Sequence, residues 1–221
     1  MIKLNKNIEF RIAADGSSAS GKTTGCKLIS KKLKMNFLSS GTLYRYCAFK
    51  IMMNKNFFNQ KSINKISKSI TINKLKNKKL YSQDVTNMSS IIAKKQFVRK
   101  ALKNFQINFI KKSKLVIVEG RDIGSKIMPD ADLKLYFKCS IKQKAKRRLK
   151  EFRLQNKKIT LNEVEKALIK RDKEDINRKI SPLIMSKNAV LVDTTKLNIK
   201  QMEAKLINLV MKALKKKYGN L

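Results

Sequence analysis

Ile8-Glu9-Phe10-Arg11-Ile12-Ala13-Ala14, then Asp15-Gly16-Ser17-Ser18-Ala19-Ser20-Gly21-Lys22-Thr23-Thr24, opens a stretch that reads as strand, glycine-rich turn and helix. The apolar run ends at Asp15-Gly16, and apolar residues resume at helical spacing from Gly21 through Leu33. Between the two, Gly16 to Thr23 satisfies the P-loop pattern G-x-x-x-x-G-K-[ST] in full. An ordinary Gly/Ser turn before a helix is the alternative, and the flanking strand and helix weigh against it. Glycine admits backbone angles closed to other residues, so the loop N–H groups can turn inward onto a phosphate. The expected ATP contacts are therefore Gly16, Ser17, Ser18, Ala19, Ser20, Gly21, Lys22, Thr23 and Thr24. Lys22 would reach the β and γ oxygens, the Thr23 hydroxyl would bind Mg²⁺, and the helix N-terminus adds partial positive charge.

Outward from this stretch, strand and helix patterns alternate. Asn36 to Leu38, Lys114 to Glu119, Leu133 to Phe137 and Ala189 to Val192 are short apolar strand candidates. The second, with Leu115, Val116, Ile117 and Val118 consecutive, suits a strand buried on both faces. Helical patterns cover Thr42 to Met53 and Ile199 to Lys217, the latter with Met202, Leu206, Leu209, Val210 and Leu214 near helical spacing. Thr160 and Glu163 form a capping-box signature for a helix running to about Lys179, which would set Arg171, Asp175 and Arg178 on one face. The fold class expected is α/β: a P-loop NTPase fold with about five parallel strands flanked by helices. Asn54 to Ser82 is polar and Lys/Asn-rich and reads as a small mobile insertion.

Composition narrows the function. Lysine and arginine total 53 against 15 acids, a net charge of +38, which points to anionic partners. The positive charge is mostly lysine spread through every segment, so a general composition bias explains it as well as a nucleic-acid groove does. Arginine is different: Arg11, Arg45, Arg99, Arg121, Arg147, Arg148, Arg153, Arg171 and Arg178 are the whole set. Where lysine serves for any point charge, arginine marks positions needing a bidentate fork, as for phosphate. The absence of histidine excludes a Ser-His-Asp hydrolase. Cys26, Cys47 and Cys139 read as free thiols in a reducing compartment. No apolar run approaches membrane-spanning length, and Lys3 and Lys6 precede no apolar leader, so a cytoplasmic location is expected.

Four blocks in register resemble the bacterial cytidylate kinase family: Asp15 to Lys22, Ser40-Gly41-Thr42-Leu43-Tyr44-Arg45, Gly120-Arg121-Asp122-Ile123-Gly124, and Arg171 to Arg178. Pro129-Asp130-Ala131 follows the third, and the match spans nearly the whole chain. The resemblance implies that Arg45, Arg121 and Arg178 hold the CMP phosphate, that Arg171 and Asp175 contact the sugar, and that Ser40 orients the nucleotide. It places Ser90, Arg99 and Asp122 around the cytosine edge, and Arg147 and Arg148, with Arg153, on a lid over the ATP phosphates. Lys22, Arg121, Arg147 and Arg148 are the expected catalytic cations. It also implies a single domain with a monophosphate-binding segment at about 41–112 and a lid at about 148–160. Partners would be ATP with Mg²⁺ and CMP or dCMP, with no obligatory nucleic acid, no membrane and a monomeric chain.

Read from the residues alone, several of these positions keep a second meaning. Arg45 could pair a surface acid, Asp175 could form an ordinary i,i+3 pair with Arg178, and Asp122 could cap the segment after it. Glu119 could orient a Mg²⁺-bound water or be a plain strand-end acid. The sequence departs from the family pattern at Ser17, Thr23 and Ser39, and Tyr81 stands where a substrate-side arginine is expected, while Arg11 acquires no role. Two other functions fit a P-loop: a kinase for another small acceptor, and a basic nucleic-acid-binding ATPase. Phosphoryl transfer to an already ionised phosphate needs positioning, charge stabilisation and exclusion of water rather than a general base. Asn54 to Ser82 and Glu151 to Lys158 are the stretches expected to move.

Overall fold

The computed structural model describes residues 8–53, 58–154 and 158–219. Lys3 and Lys6, and parts of the stretches Asn54 to Ser82 and Glu151 to Lys158, lie outside the described residues. Contacts divide the described chain into two units, one reaching Leu38 and resuming at Lys114, the other Ser39–Ser113.

The first unit is built on a five-stranded parallel sheet. Strand β1 (Phe10–Gly16) lies at its centre, and β2 (Asn36–Ser39), β3 (Leu115–Gly120), β4 (Leu133–Lys138) and β5 (Val190–Asp193) complete the order β2-β3-β1-β4-β5. β1 runs parallel to β3, with Ala14 opposite Glu119 and Asp15 opposite Gly120, and parallel to β4, with Gly16 opposite Phe137. All five strands fall where the apolar runs predict them, with ends shifted by one or two residues. Because β1 has neighbours on both sides, connections leave it in opposite directions, and the carboxyl end of such a strand is where an open α/β sheet leaves a crevice.

Alternation along β1 sends Phe10, Ile12 and Ala14 into one core. Helix α1 (Lys22–Leu33) meets them with Cys26, Ile29 and Leu33. The C-terminal helix covers the same core with Met202, Leu206, Val210 and Leu214. Burial of such side chains contributes on the order of 1.5–3 kcal/mol each, which fixes α1 and hence the loop that leads into it. Near the end of the C-terminal helix, Lys217 pairs with Asp132 at 2.7 Å and donates to the Glu9 carbonyl at 2.8 Å. Arg11, exposed on β1, pairs loosely with Glu9 at 3.9 Å and takes no part in the site described below.

The second unit contains α2 (Ser40–Met53), α3 (Gln60–Lys68), α4 (Gln83–Ile92) and α5 (Gln96–Lys111), with short 3₁₀ turns between α3 and α4 and no strand among its described residues. Within the stretch read as a small mobile insertion, residues 58–82 carry a helix and buried apolar side chains. Asn59 caps α3 by accepting from the Ser62 N–H at 2.9 Å, and Ile63, Ile66, Ile70, Leu75 and Leu80 are buried. Lysine and asparagine occupy the outward face, and five well-spaced apolar residues suffice for the inward one.

Back in the first unit, α6 (Ile141–Arg153) and α7 (Leu161–Asn177) share a small core of Ala145, Phe152, Val164 and Leu168. The capping box at Thr160 and Glu163 is present as predicted. α7 ends at Asn177, close to the expected end near Lys179, with Arg178 as its C-cap at φ −65°, ψ 138°. Because its φ stays helical, the Arg178 side chain still leaves the helix end on the side of Asp175. The Leu183 N–H takes the Asp175 carbonyl at 2.7 Å, a bond from beyond the helix that replaces another turn. Chain order closes with α8 (Ile199–Tyr218).

Candidate active site

The loop Gly16 to Thr23 joins the end of β1 to α1. A Cβ on Gly16 would sit 2.5 Å from the Phe137 carbonyl oxygen, so no side chain fits there. Gly21, at φ 81°, occupies the left-handed region that turns the chain into the helix. The Ser20 hydroxyl donates to the Ser17 carbonyl at 3.0 Å, and the Ser20 carbonyl accepts from the buried Thr194 hydroxyl at 2.8 Å. Ser18 is half-buried and Thr24 is exposed on the first turn of α1.

Lys22 and Thr23, the first residues of α1, converge on one acid. The Lys22 ammonium pairs with Glu119 Oε2 with both groups buried, and the Thr23 hydroxyl donates to Glu119 Oε1 at 3.0 Å. Glu119 is thus more than a strand-end acid: both its oxygens are held by the phosphate loop. A hydroxyl and a carboxylate are hard oxygen donors suited to Mg²⁺. No group of three or more acidic, histidine or cysteine side chains that could hold a metal occurs among the described residues. That donor set fits an ion that keeps waters and nucleotide phosphates as its remaining ligands, as Mg²⁺ does.

Asp175 gathers the arginines of α7 and the β3 end. Arg121 Nε donates to Asp175 Oδ2 at 2.8 Å, and Arg178 Nη1 lies 3.4 Å from Oδ1. Burial acts to raise the Asp175 pKa, but Arg121, Arg178 and Arg171 outweigh it and hold the carboxyl below its ordinary value. For Arg121, burial acts downward and is outweighed by Asp175, Glu119 and Asp172, so its pKa is raised. The i,i+3 pair expected as an alternative exists, but Arg121 is the closer partner. Replacing Asp175 by Asn should cost about 3 kcal/mol of stability at neutral pH, because Arg121 would lose its nearest counter-charge in a largely enclosed place. The sign of the pH dependence follows from the depressed pKa: the stabilisation is present above the unfolded carboxyl value and is lost as pH falls through the folded one. Denaturant titrations of parent and Asp175→Asn should therefore converge on acidification, and a constant difference down to acid pH would contradict the pairing.

Asp122 is buried but supplies no side-chain cap to the one-turn π-helix Ile123–Ile127, so the capping reading is corrected. The cap comes from Asp15, whose two carboxylate oxygens accept from the Ile123 and Gly124 N–H groups at 2.8 and 2.7 Å. Burial, the largest influence, pushes the Asp15 pKa up to about 6; the two N–H donors and Lys22 pull it down, and Asp122 adds to the rise. Both Asp15 oxygens act as acceptors in these bonds.

On α6, the expected lid cations differ in their surroundings. Arg147 donates to the Thr194 hydroxyl at 2.9 Å and carbonyl at 2.7 Å, and through Thr194 it braces the Ser20 carbonyl. Arg148 pairs with Glu151 at 2.8 Å and lies 4.7 Å over the Phe152 ring. Arg153 is exposed at the end of the helix. Lys144 is the buried cation of α6: its ammonium pairs with Asp172 and donates to Ser17 Oγ in the phosphate loop at 3.2 Å. An argument that looked only at arginine passes over Lys144, and nothing in a lysine-rich sequence distinguishes it. Thr194, in Asp193-Thr194-Thr195 at the end of β5, was likewise without a sequence signal.

In the second unit, Ser40 is buried at the start of α2 and Arg45 lies 5.3 Å over the Tyr81 ring. Arg99 on α5 lies 5.6 Å over the Tyr44 ring and donates to the Ala93 carbonyl at 3.1 Å. Ser90 on α4 donates back to the Thr86 carbonyl at 3.3 Å. The residue replacing the expected arginine, Tyr81, thus provides a face for Arg45.

Among the described residues no helix is long and apolar enough to cross a membrane. Two solved structures share the fold: an uncharacterized protein from Eubacterium ventriosum (TM-score 0.55, 14% identity, 92% of this chain and 99% of that one) and TT1252 from Thermus thermophilus (TM-score 0.52, 12% identity, 97% and 100%). Among curated proteins, the chain is 32% identical over 215 residues to the cytidylate kinase of Thermotoga petrophila, covering 91% of this chain and 96% of that protein. It is 33% identical over 202 residues to that of Rickettsia felis (91% and 91%) and 33% identical over 218 residues to that of Phytoplasma mali (91% and 94%). The family model for cytidylate kinase matches residues 12–212, which takes in most of β1, the phosphate loop, both arginine-bearing units and most of α8, and the chain belongs to the cytidylate kinase family.

Proposed function

We propose that this enzyme transfers the γ-phosphoryl group of ATP to CMP or dCMP, giving CDP or dCDP and ADP. The observation that carries the reading is the convergence of Lys22 and Thr23 on Glu119 beneath a complete phosphate loop, in the same unit as the Arg121–Asp175–Arg178 cluster. An oxygen of the CMP phosphate attacks the γ-phosphorus, the bond to the β–γ bridging oxygen breaks, and ADP leaves with that electron pair. No proton need be removed from the nucleophile, in keeping with a chain that has no histidine.

Gly16 to Thr24 bind the ATP phosphates, and Lys22 exchanges its Glu119 partner for phosphate oxygens as charge spreads over the transferred group. Thr23 and Glu119 would hold Mg²⁺, which neutralises phosphate charge when bound. Arg121, Arg178 and Arg45 hold the acceptor phosphate, Arg171 and Asp175 its sugar, Ser40 its orientation, and Ser90, Arg99 and Asp122 its base. Arg147 and Arg148 belong to a lid at about 148–160 over the donor phosphates, of which 155–157 lie outside the described residues; the segment at about 41–112 receives the monophosphate, with 54–57 likewise outside. The enzyme works as a cytoplasmic monomer on free nucleotides.

A coupled ADP-release assay across all nucleoside monophosphates tests the reading. CMP and dCMP should stimulate release far above the others. Stimulation by single- or double-stranded nucleic acid with none by CMP would replace it with the ATPase reading, and stimulation by a different small molecule would replace it with another kinase.

A further inference from the structure

Asp15 precedes the phosphate loop and has no role in the scheme above. It is buried, at 4% exposure, and its carboxylate reaches out of β1 to the start of the π-helix, where both oxygens take N–H groups of successive residues, Ile123 and Gly124. Two donors from adjacent peptides on one carboxylate fix that segment in rotation as well as position, which one bond could not do. Immediately before it come Arg121 and Asp122, one bound to Asp175 and the other buried. Immediately after Asp15 comes Gly16, where even a Cβ would strike β4. A single short side chain thus links the first residue of the donor loop to the peptide that carries two acceptor-side groups. The π-helical turn is itself an unusual conformation, of the kind found at functional sites.

We propose that Asp15 is a positioning residue for the acceptor nucleotide: by holding the Ile123 and Gly124 N–H groups it sets Arg121 and Asp122 and couples their placement to the ATP loop. The inference rests on the assignment of Arg121 and Asp122 to the acceptor. It has a thermodynamic corollary, that ATP and CMP should each tighten the other's binding by the same factor and that the factor shrinks when the link is cut.

Asp15→Asn conserves size but turns an amide donor toward one of the two N–H donors, leaving an unsatisfied pair in a buried place. The expected result is a rise in KM for CMP of about tenfold or more, a fall in the CMP:UMP ratio of kcat/KM, and a Kd for an ATP analogue within about threefold of the parent. Amide exchange should quicken at Ile123 and Gly124 and stay unchanged in α1. A residue that merely supports the fold would weaken ATP and CMP binding together and leave the CMP:UMP ratio alone, and that pattern would overturn the proposal. So would an unchanged KM for CMP. If Asp15→Asn fails to fold, Asp15→Ser removes the second acceptor without opposing a donor, and the same split is expected of it. Should the parent fail to phosphorylate CMP at all, the cytidylate reading falls by itself, while the exchange rates at Ile123 and Gly124 still decide whether Asp15 holds that segment.

Discussion

Lys22→Met should lower kcat by about a thousandfold or more, because it removes a fixed positive charge from the place where negative charge spreads in the transition state. The structure adds a complication. Lys22 is buried against Glu119, so the substitution also removes the ammonium paired with a buried carboxylate. Breaking a buried pair from one side typically costs about 3–5 kcal/mol, enough to confuse lost stability with lost chemistry. The double variant Lys22→Met/Glu119→Gln separates them: a neutral amide in place of the carboxylate should return much of the stability and none of the turnover. Thermal melts and kcat are measured side by side in the three proteins. Recovery of turnover together with stability in the double variant would show that Lys22 acts through the fold and not at the phosphate.

The second large effect is on base selection. Cytosine presents an amino donor where uracil presents a carbonyl acceptor, so a carboxylate at that edge pairs with one and repels the other. An unmatched buried polar group costs on the order of 1–3 kcal/mol, which sets the expected preference for CMP over UMP at roughly ten- to a hundredfold or somewhat more. Asp122 is buried, directly after Arg121 at the end of β3, where a carboxylate would meet a base edge away from bulk water. Asp122→Ala should erode the ratio of kcat/KM for CMP over UMP more than it weakens ATP binding. An unchanged ratio in the folded variant would place cytosine recognition elsewhere, and equal use of CMP and UMP by the parent would undo the assignment of substrate.

Extreme charge obscured part of this site and sharpened another part. With lysine everywhere, arginine carried information, and Arg121 and Arg178 do meet at one carboxylate. The same filter hid Lys144, whose burial against Ser17 and Asp172 makes it unlike the solvated lysines around it. Composition also hid the core of the region after α2, where Ile63, Ile66, Leu75 and Leu80 on short helices are buried among lysine and asparagine.

The phosphate loop and the five strands were legible in the sequence because they depend on local rules: apolar runs of strand length, glycines where a Cβ is forbidden, and a lysine at the first helical position. The partners of those residues were not, since they come from distant parts of the chain brought together by the sheet. Strand register sets Glu119 beside Ala14 and so under Lys22 and Thr23, and it sets Asp15 beside Gly120 and so within reach of Ile123 and Gly124. The exact end of α7 is set in a similar way. A bond from Leu183 beyond the helix stops the last turn, and only the tertiary structure decides which carbonyl that N–H will find.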